Sequence, residues 1–202
     1  MGDRFSELYT ERETVDSFGI SGIDGFETNR AIRESPEFFG WLEGKTRFPL
    51  FNCGMLFRVK SRDSVYAQRC AEYIESITAE NLREHAALYK CFEALADYVA
   101  DMLEEHSGEF DLGGMMFDKY STVEDLIKLI APAALTFERH DLLSEEESPI
   151  AFSLKLFFKP VPDEFMEIAL HGNEPIYAGE YRGVSPWNEN LSKKKYNYAR
   201  YL

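Results

Sequence analysis

The chain has 202 residues, 45% of them hydrophobic, with 16 Phe and 11 Tyr. That is enough to bury a core without metal or disulfide support, because buried aromatics supply large apolar area per residue. A net charge of −14 repels phosphate backbones and anionic membranes over most of the surface, so direct nucleic-acid binding is disfavoured.

No stretch approaches the roughly 18 to 20 uninterrupted apolar residues needed to cross a bilayer, and the opening MGDRFSELYTERET has no hydrophobic run to serve as a secretory signal. The expectation is a cytoplasmic protein. Cys53, Cys70 and Cys91 are widely spaced, with no CxxC and no His in metal-ligand register, so they read as reduced, partly buried thiols.

In chain order, residues 1–30 mix charges with Gly19, Gly22 and Gly25 and read as a loosely structured arm, with a short strand at Val15–Ile20. AIRESPEFFGWL, residues 31–42, suits a short helix beginning near Pro36; Phe38, Phe39, Trp41 and Leu42 then need cover. KTRFPLFNCGMLFRVK predicts two short strands around Asn52-Cys53-Gly54, where Asn and Gly adopt the positive φ of a tight turn. Pro49 demotes the first strand to an edge. Asp63 or Ser64 caps a helix carrying Tyr66, Cys70, Tyr73 and Ile77, which breaks near Thr78.

The longest periodic stretch follows. Leu82, Tyr89, Phe92, Ala96, Val99 and Leu103 recur at three- and four-residue steps, and Leu88, Cys91, Leu95, Tyr98 and Met102 widen the stripe. So broad an apolar arc predicts a central helix enclosed by other elements, with Lys90, Asp97, Asp101 and Glu104 on its narrow wet face. After a Gly-rich loop, Ser121 and Glu124 form a capping-box signature for a helix over 122–130 ended by Pro132. The remainder reads as an antiparallel meander: Leu135 and Phe137 alternate with polar residues, LLSEEESP is an acidic loop, and Ile150, Phe152, Leu154, Leu156 and Phe158 alternate along the best-signalled strand. Strands over 165–170 and 176–181 are joined through His171-Gly172-Asn173-Glu174. The fold class is therefore α+β: one antiparallel sheet, an N-terminal hairpin plus a C-terminal meander, packed on a long central helix and shorter ones. The chain reads as a single domain over 1–202, with the arm at 1–30 and a basic aromatic tail at 185–202.

GWLEGKTRFPLFNCGMLFRVK, the helix containing Gln68 and Tyr73, the long helix, STVEDLIKLIAPAALTF and the closing meander together resemble, over about residues 40–183, a family of small bacterial proteins known only as a domain of unknown function. The resemblance implies an α+β domain of the kind thought to act as immunity or accessory proteins near toxin genes. The closing hairpin DEFMEIALHGNEPIYAGEY and the extensions at both ends depart from that family's pattern.

Candidate chemistry is sparse. Glu104, Glu105, His106, Glu109 and Asp111 form the densest polar cluster, and carboxylates with an imidazole suit a divalent ion; a solvated acidic helix end is the plainer reading. His85 falls within the apolar arc, as a hydrogen-bonded boundary histidine does. His140 is flanked by Glu138 and Asp141, where an acid/base group could sit, but no nucleophile accompanies them. His171 stands alone.

No cofactor is implied, and no nucleotide-binding pattern is present. Residues 191–202 of the tail carry Lys193, Lys194, Lys195 and Arg200 and no acid, so the first 190 residues hold −18, the −14 total less that segment's +4. Interleaved with Tyr196, Tyr198 and Tyr201, those cations could hold single-stranded nucleic acid; docking on the chain's own body, with Trp187 as an anchor, or on another subunit is preferred. The reading that follows is a non-enzymatic acidic module binding a basic protein partner, with a metal-dependent hydrolase or a subunit of a homo-oligomer as alternatives.

Overall fold

The computed structural model describes residues 32–106, 109–140, 142–143 and 147–201. The arm at 1–30, the strand expected at Val15–Ile20, Asp141 and part of the acidic loop lie outside them.

Among the described residues seven strands form one sheet in chain order: β1 (Arg33–Glu34), β2 (Leu42–Phe48), β3 (Cys53–Lys60), β4 (Ile130–Glu138), β5 (Ala151–Phe158), β6 (Val161–His171) and β7 (Glu174–Glu180). Three helices lie between β3 and β4: α1 (Ser64–Glu75), α2 (Ala86–Glu105) and α3 (Val123–Leu129). The N-terminal hairpin and the C-terminal meander are thus one sheet. The joint is its one parallel pair, Phe57 opposite Leu135 through Lys60 opposite Glu138, and the three helices make the crossover that a parallel pair requires. Packed under the sheet, α1 meets β2 while α2 meets β6 and β7.

Period-two alternation decides which face meets the helices. Phe152, Leu154, Leu156 and Phe158 of β5, Met166, Ile168 and Leu170 of β6, and Phe57 and Val59 of β3 are all buried in one core with Phe92, Leu95 and Val99 of α2. On the opposite face, Ser153 and Lys155 of β5 are half-buried. The solvated stripe of α2 is Lys90, Glu93, Asp97, Asp101, Glu104 and Glu105, which includes all four residues expected there. At the start of α1, Asp63 Oδ1 accepts from the Val65 and Tyr66 amides, the capping arrangement that Asp favours.

Several boundaries differ from expectation, each for a local reason. The described part of the segment expected to be helical, residues 32–42, forms no helix. Ser35 Oγ accepts from the amides of Glu37 and Phe38, its own amide donates to Trp41, and Gly40 has φ +81°; a serine turn competes with the helix and closes the loop onto β2. Phe39 consequently stands in solvent, 94% exposed. Pro49 lies just past β2 in a short 3-10 turn, and Asn52 alone takes the left-handed conformation there, at φ +49°.

The central helix begins at Ala86. Leu82–Glu84 is a separate 3-10 turn, and His85 is the junction, its ring centroid 5.4 Å from that of Tyr73 with the planes near perpendicular. The capping box sits one residue later than the Ser121–Glu124 signature: Thr122 Oγ1 accepts from the Asp125 amide while Asp125 Oδ2 accepts from the Thr122 amide. Helix α3 stops at Leu129 because Ile130 is extended. Pro132 lies inside β4, at a register shift against β5 that tolerates a missing donor.

Candidate functional site

Helix α2 presents Glu93, Asp97, Asp101 and Glu105 at four-residue steps on its exposed face, with Glu104 beside them. Among the described residues no cationic side chain lies within ion-pair distance of Glu93, Asp97, Glu104 or Glu105. The field they make is felt by their neighbours. Partial burial and then the charge of Asp101 raise the Asp97 carboxyl above its ordinary value. Burial, then Glu164 and Glu180, push the Tyr98 phenol up to about 12; Tyr198 is raised to about 12 by burial and by its hydrogen bond to Asp101. The negative region therefore spreads from α2 to acids carried by β6 and β7.

The cluster expected at the end of this helix does not converge. His106 Nδ1 lies 3.2 Å from Glu109 Oε2, both side chains about half exposed or more, whereas Asp111 Oδ1 turns back to accept from the Gly113 amide and Glu105 points to solvent. Among the described residues no three His, Cys, Asp or Glu side chains are grouped as metal ligands.

The residues around His140 are likewise separated. Glu138 spends its carboxylate on Lys60, 3.0 Å away, and its carbonyl accepts from the Trp187 indole and the Tyr66 hydroxyl. His140 Nδ1 accepts from the Leu142 amide. What the sequence did not suggest is that Trp187 lies between two imidazoles, with the His140 and His171 rings each 4.7 Å from it and edge-on. The indole thus anchors the start of the tail over the ends of β4 and β6, and His171 also meets Glu174 at 3.0 Å.

Further along, the tail runs over β7. Its lysines at 193–195 are exposed, and contact with α2 is made instead by Tyr198, whose hydroxyl donates to Asp101 at 2.8 Å and whose ring meets Tyr98. Gly179 is where the two approach: a Cβ there, at φ +152°, would stand 3.0 Å from the Tyr196 carbonyl.

The thiols of Cys70 and Cys91 are buried and that of Cys53 is half-buried, and none of the three is in a disulfide; burial raises the first two well above the ordinary thiol value, which makes them poor nucleophiles. His85 is held below its ordinary value by partial burial, against the opposing charge of Glu84.

Beneath the tail, Glu167 is buried, 1% exposed. Its carboxylate accepts from the amides of Arg182 and Val184 and so ties the chain leaving β7 to the outer sheet face. Its cross-strand neighbour Lys155 is clasped between the Phe165 and Tyr181 rings, 3.8 and 4.1 Å from their centroids. Burial raises the Glu167 carboxyl, only partly offset by those amides and by Lys155.

A carboxyl raised on folding adds stability below its unfolded value and loses it as pH climbs through the folded one. Comparing wild type with Glu167→Gln by urea unfolding, the variant is expected to gain relative stability as pH rises from about 4.5, the ordinary glutamate value. Parallel pH profiles would show that the burial of this carboxyl carries no such cost.

No helix among the described residues is long and apolar enough to cross a membrane. Compared with protein-family models, with curated proteins and with solved structures, the chain matches none of them.

Proposed function

We propose that this chain is a non-enzymatic protein-binding module that takes a basic partner on the acidic face of α2, as an immunity-type or accessory protein does. The observation that carries the reading is the acidic ladder Glu93, Asp97, Asp101 and Glu105, in which Asp101 accepts from the Tyr198 hydroxyl and no ion pair is formed among the described residues. Like charges four residues apart cost a helix roughly 0.2–0.5 kcal/mol per pair. A cationic surface laid along the ladder turns that cost into attraction. Complementary charge of this kind speeds encounter and rejects wrong partners more than it deepens affinity, and it is steep in salt because the face is exposed.

The test is capture of partners from the native host at low salt by wild type and by a near-isosteric variant, Glu93→Gln/Asp97→Asn/Asp101→Asn/Glu105→Gln. Asn at 101 still accepts from Tyr198. Wild type is expected to enrich a basic protein whose association slows about tenfold or more in the variant and with rising salt. No basic protein retained at low salt, or one bound equally fast by both forms, would refute the assignment.

A further inference from the structure

The loop between β1 and β2 and the exit of β3 build a second surface of opposite character. Phe38 stacks on Trp41, with centroids 4.6 Å apart and planes 20° apart. Arg58, Lys60 and Arg62 alternate along β3 and just beyond it, so their side chains emerge on one side. Each cation covers one ring: Arg58 lies over Phe38 at 5.1 Å, Lys60 over Trp41 at 5.4 Å and Arg62 over Phe39 at 4.7 Å. Arg58 also pairs with Glu37 at 2.9 Å and Lys60 with Glu138 at 3.0 Å. Arg62 has no carboxylate within ion-pair distance among the described residues.

We infer that this ledge is a two-fold interface between copies of the chain. A second copy brings the same −14, so the acidic parts of two surfaces repel, and they can meet only where charge is balanced. Here three cations face two carboxylates, and the rest is aromatic. Two-fold symmetry further requires the patch to complement itself. Phe39, 94% exposed, and Arg62 form a cation–ring pair that can be exchanged across the axis, Phe39 of one copy on Arg62 of the other, without loss of the interaction. Arg and aromatic side chains are those that concentrate binding energy in interfaces, and stacking within the monomer already restrains them, which lowers the ordering cost of association. A strongly basic partner is steered elsewhere, to α2, by the ledge's own cations.

Sedimentation velocity of the full chain, from about 1 to about 100 μM, tests this directly. Wild type is expected to form a dimer, and Phe39→Ser and Arg62→Glu are each expected to raise its dissociation constant tenfold or more, since each change counts twice in a symmetric contact. Both positions are exposed, so an unchanged circular dichroism spectrum separates loss of association from loss of fold. Neutralising the α2 ladder is expected to leave the dimer intact, so that failure of this interface and failure of the partner reading are told apart. A wild type that stays monomeric over that range, a dimer indifferent to both substitutions, or a ledge that binds a different protein in place of a second copy would each overturn the inference.

Discussion

Replacing Phe92 by Ala is expected to cost about 3–5 kcal/mol in urea unfolding, a large share of the roughly 5–15 kcal/mol that holds a domain together. The ring is fully buried on α2, set edge-on against Phe51 at 6.2 Å, which in turn meets Phe48 at 5.1 Å, so it links the central helix to the β2–β3 connection. Removing it forfeits the transfer free energy of a phenyl group and leaves a hole, walled by the helix on one side and aromatic rings on the other, that can collapse only in part. The matched control is Asp97→Ala, five residues along the same helix but on its wet face, expected to stay within about 0.5 kcal/mol of wild type. If Phe92→Ala cost less than about 1 kcal/mol, or the two substitutions cost the same, α2 would not be the enclosed element that the fold requires.

That helix was legible because an apolar arc at 3.6-residue spacing says both what forms and which side is covered, and β5 was legible for the equivalent reason at period two. The parallel pairing of β3 with β4 was not. Nothing local distinguishes a strand's two edges, and the choice was made by three helices that must cross the sheet between those strands. Residues 31–42 misled for a different reason: the spacing of Phe38, Phe39, Trp41 and Leu42 suits a helix, but the Ser35 hydroxyl and the positive φ of Gly40 offer the backbone a tighter arrangement. Helix α3 was found, yet its capping pair was displaced by one residue because Ser121, Thr122, Glu124 and Asp125 supply two overlapping boxes of the same chemistry.

The surfaces divide in the same way. An acidic face on α2 could be read directly, since helical spacing places Asp97, Asp101 and Glu104 together. The ledge was half written in the alternation of Arg58, Lys60 and Arg62, but the aromatics they cover come from a loop that periodicity assigned to a helix. Trp187 between His140 and His171 was beyond reach, because three residues spread over positions 140–187 meet only when the tail has crossed the ends of β4 and β6. The same tail crossing explains why a run of lysines next to an acidic body does not neutralise it: hydrogen bonds and rings seat the tail, and its three consecutive lysines stay in water.

Asn197 is the residue on which that seating depends, and Asn197→Ala is expected to release the tail at a cost of about 2–4 kcal/mol. The side chain is 1% exposed and uses its full capacity: Nδ2 donates to the carbonyls of Ile176 and Leu191, Oδ1 accepts from the amides of Ala178 and Ala199. Two of those four groups belong to the outer edge of β7, so one amide side chain satisfies an edge that would otherwise bury unpaired backbone or offer it to another strand. Alanine leaves all four groups without their partner. Each buried group so stranded costs about 1–3 kcal/mol, and the chain limits the loss by letting the tail peel away into water, which caps the total at the stability of that local contact. Hydrogen exchange should therefore rise sharply across 176–199 while α2 keeps its protection. The near-isosteric Asn197→Asp is the sharper probe: it keeps the acceptor, turns both donors into a second acceptor facing two carbonyls, and buries a charge. At neutral pH it is expected to be at least as damaging as alanine. Because burial raises the new carboxyl, stability should recover as pH falls toward the acid range, where the protonated form regains one donor. If Asn197→Asp exchanges like wild type at neutral pH, the tail is held by its aromatics alone and the amide bridge to β7 is incidental.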